Sequence, residues 1–227
     1  MRRSALNYDI SMPHLQDQLD EITANTRDLV QPERLAIGEH AVEDLFATGI
    51  EQNILPVGAK APEFALPDSS GRTVKSGDLL ALGPLILNFF RGRWCPYCIT
   101  ELEAWRDLYP LVRERGALIA AISPQTIRQS DFTQVQHNIP FPLLNDDGCK
   151  FSEQFGLGYT IPPYHQQHYR SVLVNLPFVN GDQSWRLILP ATYVVDTDGT
   201  ILFAEAHADF RVRPEPEEVL RALPARR

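Results

Sequence analysis

The chain has 227 residues, 44% of them hydrophobic and 9% aromatic, which is enough apolar material to bury a core without disulfide staples or a structural metal. Its 29 acidic residues against 21 basic ones leave a formal charge of -8, which repels phosphate backbones and excludes nucleic acid as a natural partner. The opening Met-Arg-Arg is basic like a signal peptide but lacks the apolar run that must follow, and no stretch approaches the ~18 apolar residues of a membrane span; a soluble, cytoplasmic protein with no membrane partner is expected.

From Leu15 the apolar positions Leu15, Leu19, Ile22 and Leu29 fall on one side of a helix. Pro32 suits the first turn of a second helix, whose face carries Leu35, Val42, Leu45 and Phe46 and whose stop signal is Gly49. Residues 1–55 therefore read as a helical arm. The arm either covers one side of the main domain or makes a homodimer, and since amphipathic faces as a rule bury locally, the covering role is preferred.

Residues 56–227 read as the main domain, opening with extended pieces at 64–66 and 73–74 around a turn at 68–71. Residues 84–90 are apolar except for Asn88, the pattern of a central strand covered on both faces. Residues 96–116 carry Leu102, Trp105, Leu108 and Val112 at helical spacing, with Gly116 as the stop and a kink or break predicted at Pro110. A second buried strand at 117–122 makes a strand-helix-strand unit, which implies a right-handed crossover and parallel pairing. Then follow a helix at 126–137, a strand at 141–144, a short helix at 150–155, a loop-rich stretch, a hairpin of 191–195 with 200–205, and a last helix at 214–223. The class is α/β, a central mixed sheet flanked by helices with an N-terminal helical extension.

Three cysteines in a chain of this length make no disulfide framework and suit a reducing compartment. Two of them, Cys95 and Cys98, stand in Arg91-Gly92-Arg93-Trp94-Cys95-Pro96-Tyr97-Cys98, between a buried strand and a long helix. A helix N-terminus presents unpaired N–H groups and partial positive charge, so a thiol there is stabilised as thiolate. A thiol near pKa 8.5 is only ~3% ionised at pH 7, and a shift to about 7 makes it roughly half ionised, so a small perturbation suffices. Arg91 and Arg93 add to it if they turn inward. The spacing sets the Cβ atoms ~5–6 Å apart, close to the ~4 Å of a disulfide. Reversible disulfide chemistry is the reading preferred over a zinc site, whose second ligand pair has only His165 and His168 as candidates, and over a purely structural pair. Cys149 reads as an unpaired core or surface thiol, and Trp94 and Tyr97 as an apolar rim that shields the disulfide and receives a partner.

WCPYC after a buried strand resembles the thioredoxin superfamily active site. More closely, the chain resembles the AhpC/TSA peroxiredoxin-like family, through Gly58, Ala61-Pro62 and Phe64, then Leu66-Pro67-Asp68 with Gly71, Gly83-Pro84, Arg91-Gly92, Glu101-Leu102, Ala121 to Gln125, and Leu189 to Asp196 with Gly199. The likeness spans residues 56–223 or thereabouts. It implies a thioredoxin-like fold and reduction of a hydroperoxide substrate by Cys95 and Cys98, recycled by a thioredoxin-like or other thiol reductant without a cofactor; the alternative is exchange with protein disulfides. It also implies a cis proline at Pro190, beside the active site. Arg91, Arg93 and Trp94 are the candidate substrate-binding residues. The chain departs from the family in having Cys95 where a threonine is usual and Pro190 where an arginine is usual, leaving Arg91, Arg93, Arg170 and Arg186 as substitutes. By family register Cys98 is the peroxide-reactive thiol; by helix-end geometry Cys95 is the nucleophile, and both assignments stand.

Overall fold

The computed structural model describes residues 14–225, so the basic N-terminal segment read for a signal peptide lies outside the described residues. Helix α1 (Leu15–Leu29) buries Leu15 and Leu19 and packs Ile22 against the core, while Leu29 extends beyond that contact and is 85% exposed. Both carboxylate oxygens of Glu215 cap it, accepting the Leu15 and Gln16 N–H groups at 3.0 and 2.9 Å. The cap satisfies first-turn donors that have no partner within a helix. Helix α2 (Pro32–Ala47) starts with proline in its first turn and ends before Gly49, whose φ of 71° suits a residue without Cβ. Only Ala41 of α2 is fully buried and Phe46 is exposed, because the helix spans two cavities instead of lying on filled core.

Strands β1 (Ala65–Pro67) and β2 (Thr73–Lys75) form the expected antiparallel hairpin and lead into helix α3 (Ser76–Leu80). Strand β3 (Leu85–Phe89) is buried throughout; helix α4 (Pro96–Glu114) returns the chain to strand β4 (Leu118–Ser123), parallel to β3. Helix α5 (Ile127–Gln136), capped by the Thr126 hydroxyl, leads to strand β5 (Leu143–Asn145), parallel to β4. The short helix expected at 150–155 is instead a pair of 3-10 turns, Asp147–Cys149 and Ser152–Phe155.

The stretch read as loop-rich holds strand β6 (Gly158–Thr160), helices α6 (Pro163–Ser171) and α7 (Leu176–Asn180), and strand β7 (Arg186–Ile188), antiparallel to β6. Strand β8 (Ala191–Val195) lies antiparallel to β3 and pairs with β9 (Ile201–Ala206), and helix α8 (Pro216–Arg221) closes the chain. The main sheet has the order β5-β4-β3-β8-β9, so β3 is central and the sheet is mixed, with helices on its faces.

Alternation along β3 sorts the core. Leu85, Leu87 and Phe89 meet Phe151, Phe155 and Tyr193 on one face, while Ile86 and Phe90 meet α4, α1 and the cysteines on the other. Helix α4 buries Leu102, Trp105, Leu108 and Val112, as their spacing predicts. It runs on through Pro110 to Glu114 without the expected break. Pro110 is on the exposed side, where water can take the carbonyl that loses its N–H partner, and the four buried side chains hold the helix together.

Gly156 sits at φ 76°, and a Cβ there would lie 2.1 Å from the Asn53 carbonyl oxygen. This close approach lets Leu55 donate its N–H to Phe155 O at 3.1 Å, fastening the end of the arm to the domain. Gly156→Ala is therefore expected to destabilise the protein by about 2–4 kcal/mol, summing left-handed backbone strain and overpacking. Denaturant unfolding of the variant checks this.

Candidate active site

Strand β3 leaves the sheet at Phe89, and the chain turns through residues 90–95 into α4. Gly92, at φ 140°, lets the backbone approach the Trp94 indole so closely that a Cβ would lie 2.7 Å from Nε1. Cys95 is the residue preceding the first helical turn, in extended conformation, with Pro96 immediately after it. Proline there sacrifices no hydrogen bond. The Cys98 N–H donates to Cys95 O at 3.1 Å, so the two thiols are adjacent at the start of one helix, and both are free. Neither is open to bulk solvent, with exposures of 1% and 0%.

Burial opposes charge on Cys95, but the Cys98 hydrogen bond and the guanidinium groups of Arg91 and Arg213 outweigh it and bring the pKa down to about 6 from an ordinary 9.0. Burial drives Cys98 well up, and the hydrogen bond to Cys95 and its charge push further the same way. The surroundings therefore favour a negative charge on Cys95 and disfavour one on Cys98.

Arg91 turns inward. Its Nη1 lies 3.9 Å from Cys95 Sγ, its Nη2 donates to Tyr169 Oη at 2.5 Å, and its backbone N–H points to Cys98 Sγ at 3.4 Å. Its guanidinium is 4.8 Å from the Trp94 ring centre and 4.2 Å from that of Phe210, a position that fixes the charge beside the thiolate. Arg93 turns away, so it does not meet the condition for adding charge beside the sulfurs, and it lies apart from the cavity as a candidate substrate-binding residue. Its backbone N–H donates to Gln125 Oε1 at 2.9 Å, its Nη1 to Gln129 Oε1 at 3.4 Å, and it lies 4.2 Å from the Phe132 ring centre. These partners, two of them on α5, hold it on the far side of the loop.

The second cation is Arg213, which the sequence did not single out. Its Nη2 lies 3.5 Å from Cys98 Sγ and its Nε donates to Glu101 Oε2 at 2.8 Å, with both side chains only 1% exposed. Asn88 Nδ2 donates to Glu101 Oε1 at 2.7 Å, and the Thr192 hydroxyl donates to the same oxygen at 3.3 Å. Burial lifts Glu101 to about 7 despite Arg213. Neither Arg170 nor Arg186 serves as a substitute arginine: one lies 4.7 Å from the Trp185 ring centre and the other pairs with Glu153.

Pro190 is next to the site by register, since Ala191 pairs with Phe89 at the end of β3. Its peptide bond is trans, which corrects the expected cis form. The reason is topological: β7 and β8 belong to different sheets and the chain runs from one to the other without a hairpin, so no tight turn demands the cis isomer. Pro190 stands just outside the ladder of β8, where its missing N–H leaves no gap.

Tyr97 donates to or accepts from Thr23 Oγ1 at 3.1 Å and meets Phe210 edge-on, so it anchors α1 and does not face a partner. Trp94 is half-buried and lines a cavity of about 290 Å³ whose wall also includes Cys95, Arg91, Tyr169, His165 and Phe210, roofed by α1 and α2. Burial, then Arg91 and His168, pull His165 down to about 4, so it is neutral at physiological pH. His165 and His168 lie on α6, not in a loop, with ring centres 6.0 Å apart, and both reach the cavity. Cys149 is in the other core cluster, where burial and then Asp146 raise it to about 12. It is a core thiol.

The AhpC/TSA family model matches residues 57–204. Among curated proteins, the thiol-disulfide oxidoreductase ResA of Bacillus thuringiensis is 30% identical over 125 residues, 54% of this chain and 69% of that one. Peroxiredoxin Bcp of Bacillus subtilis is 34% identical over 101 residues, 44% of this chain and 64% of that one. Among solved structures, peroxidoxin BcpB of Mycobacterium tuberculosis superposes with a TM-score of 0.58 at 23% identity, covering 74% of this chain and 96% of that one, which establishes likeness of fold.

Proposed function

This chain belongs to the AhpC/TSA family and is a thiol-dependent oxidoreductase, and from that premise we propose that it reduces hydroperoxides with Cys95 as the attacking thiolate and Cys98 as the resolving thiol. The observation that carries the assignment is that Cys95, not Cys98, lines the cavity and is the member of the pair held ionised, against Arg91 at 3.9 Å. This supports the helix-end assignment over the family register.

The Cys95 sulfur attacks the distal peroxide oxygen; the O–O bond breaks, a Cys95 sulfenic acid forms, and the alkoxide takes a proton from solvent and leaves as alcohol. In the same step the negative charge on Cys95 disappears. Arg91 and Arg213 then act on Cys98 alone, and the like charge that opposed its ionisation is gone. The Cys98 sulfur attacks the Cys95 sulfur, its proton joins the departing hydroxide as water, and a disulfide closes. A thioredoxin-type dithiol is the reductant: it gives up two electrons and two protons, becomes a disulfide, and restores both thiols.

ResA and the Cys-x-x-Cys pair support a second reading, exchange with protein disulfides. The enclosed cavity beside Cys95 admits a small hydroperoxide directly, which favours the first reading. The test couples the reduced protein to a thioredoxin-type dithiol and supplies either a hydroperoxide or a protein disulfide. Oxidation of the dithiol that depends on hydroperoxide is expected. Turnover of the protein disulfide with no peroxide consumption would overturn the assignment.

A further inference from the structure

The family match covers residues 57–204, yet much of the wall of the cavity over Cys95 comes from α1 and α2, outside that match. Those helices are tied down on every side: Glu215 caps α1, Tyr164 Oη donates to Asp44 on α2 at 2.5 Å, and Arg211 forms a two-pronged pair with Glu39 at 2.5 and 2.9 Å. The cavity is therefore a built site. At about 290 Å³ it is several times the ~30 Å³ share of a water molecule and exceeds what hydrogen peroxide needs.

Its chemistry has two parts. The walls are mostly apolar, with Val30, Leu35, Val172 and Val174 facing Trp94 and Phe210. The charge in the lining is positive: Arg27, Arg34, Arg91 and Arg211 against the Glu39 carboxylate, which Arg211 engages, and the Cys95 sulfur, which Arg91 faces, leaving Arg27 and Arg34 over. On a chain of formal charge -8 this is a local reversal of sign. Arg27 and Arg34 are exposed on the arm, and neither makes a salt bridge among the described residues. Deeper in, beside Cys95, Arg91 Nε is a buried N–H donor without a hydrogen-bond partner on the protein. A buried donor left unpaired is costly, so it suits a ligand with acceptor oxygens.

We propose that the arm converts the space over Cys95 into a specificity site for an organic hydroperoxide that carries a carboxylate, the carboxylate held by Arg27 and Arg34 and the apolar body against Trp94 and Phe210. The peroxide end then lies toward Arg91 and Cys95. This deepens the peroxidase reading and rests on it. The step at Cys95 is the one already written: the distal oxygen passes to sulfur, the O–O bond breaks, and the hydroxy acid leaves after taking a proton.

The test uses the full chain in stopped flow with cumene hydroperoxide and its ring-carboxylated counterpart, and calorimetry with para-isopropylbenzoate, which has the same shape without a peroxide. The carboxylated peroxide is expected to oxidise Cys95 about 10-fold faster than the uncharged one at low salt, an advantage that shrinks as salt screens the arginines. In the double variant Arg27→Gln and Arg34→Gln the ratio of the two rates falls toward one, and para-isopropylbenzoate binds about 10-fold more weakly. Equal rates for the two peroxides in the natural protein, or a preference untouched by the double variant, would overturn the proposal. Failure of the underlying peroxidase reading has a separate signature: neither peroxide then reacts faster than with Cys95→Ser. In that event the substrate assignment falls with it, whatever para-isopropylbenzoate does.

Discussion

Cys95→Ser is expected to slow oxidation by hydroperoxide by about 100-fold or more, whereas Cys98→Ser keeps the first turnover and stops at a Cys95 sulfenic acid. The asymmetry follows from access as well as charge. Cys95 forms part of the cavity wall, while Cys98 has no exposed surface and lies under Arg213 and the Arg91 backbone. Removing Cys95 takes away the like charge that keeps Cys98 protonated, but opens no path to it. Stopped-flow oxidation of both variants, with a dimedone-type trap and mass spectrometry to place the sulfenic acid, decides the matter. A fast first turnover in Cys95→Ser and none in Cys98→Ser would return the peroxide-reactive role to Cys98.

Arg213→Met is expected to be the most destabilising substitution at the site, costing about 3–5 kcal/mol, because it leaves Glu101 buried without a counter-charge. Asn88 and Thr192 still bond Oε1, but nothing comparable remains for Oε2, which the Arg213 Nε holds at 2.8 Å. The pH dependence has a definite sign. Glu101 titrates near 7 in the folded chain and near its ordinary 4.5 when unfolded, so the folded state binds the extra proton and stability falls as pH rises between those values. Loss of Arg213 raises the folded value further and extends the falling limb to higher pH. Denaturant unfolding at about pH 5 and about pH 8 should therefore show the larger deficit at the higher pH, and the double variant Arg213→Met with Glu101→Gln should recover much of it. A deficit no greater than that of an ordinary surface change, ~0.5 kcal/mol, would mean that the pair does not support the fold.

Local rules made much of this fold legible. The apolar run with a single Asn88 became the central strand, the spacing of Leu102, Trp105, Leu108 and Val112 became the buried face of α4, and the placement of Cys95 at a helix start followed from strand, loop and Pro96. Helix α6 was not legible because Pro163–Ser171 is short and polar, with only His165 and Tyr169 buried, too few to make a periodic stripe. Arg213 lies 115 residues from Cys98 in an irregular segment before α8, where no local pattern marks an inward charge. A signal did exist at its partner, since a polar Asn88 in a strand covered on both faces needs a buried hydrogen-bonding group, and Glu101 is that group. Arg91 and Arg93 show the limit from the other side: two residues apart in one loop, they point to opposite sides, and only the packing of Tyr169 and Phe210 against one and Gln125 and Phe132 against the other distinguishes them.

The account depends on Cys95 being charged in the resting enzyme while its neighbour is not, and ultraviolet thiolate absorbance of the reduced protein against pH reads this directly. One thiolate should appear with a midpoint near 6, vanish from the titration in Cys95→Ser, and be matched by a rise of peroxide reactivity through the same pH, since the deprotonated form attacks. Two thiols that both remain protonated beyond about pH 8, or a low midpoint that survives in Cys95→Ser, would contradict it.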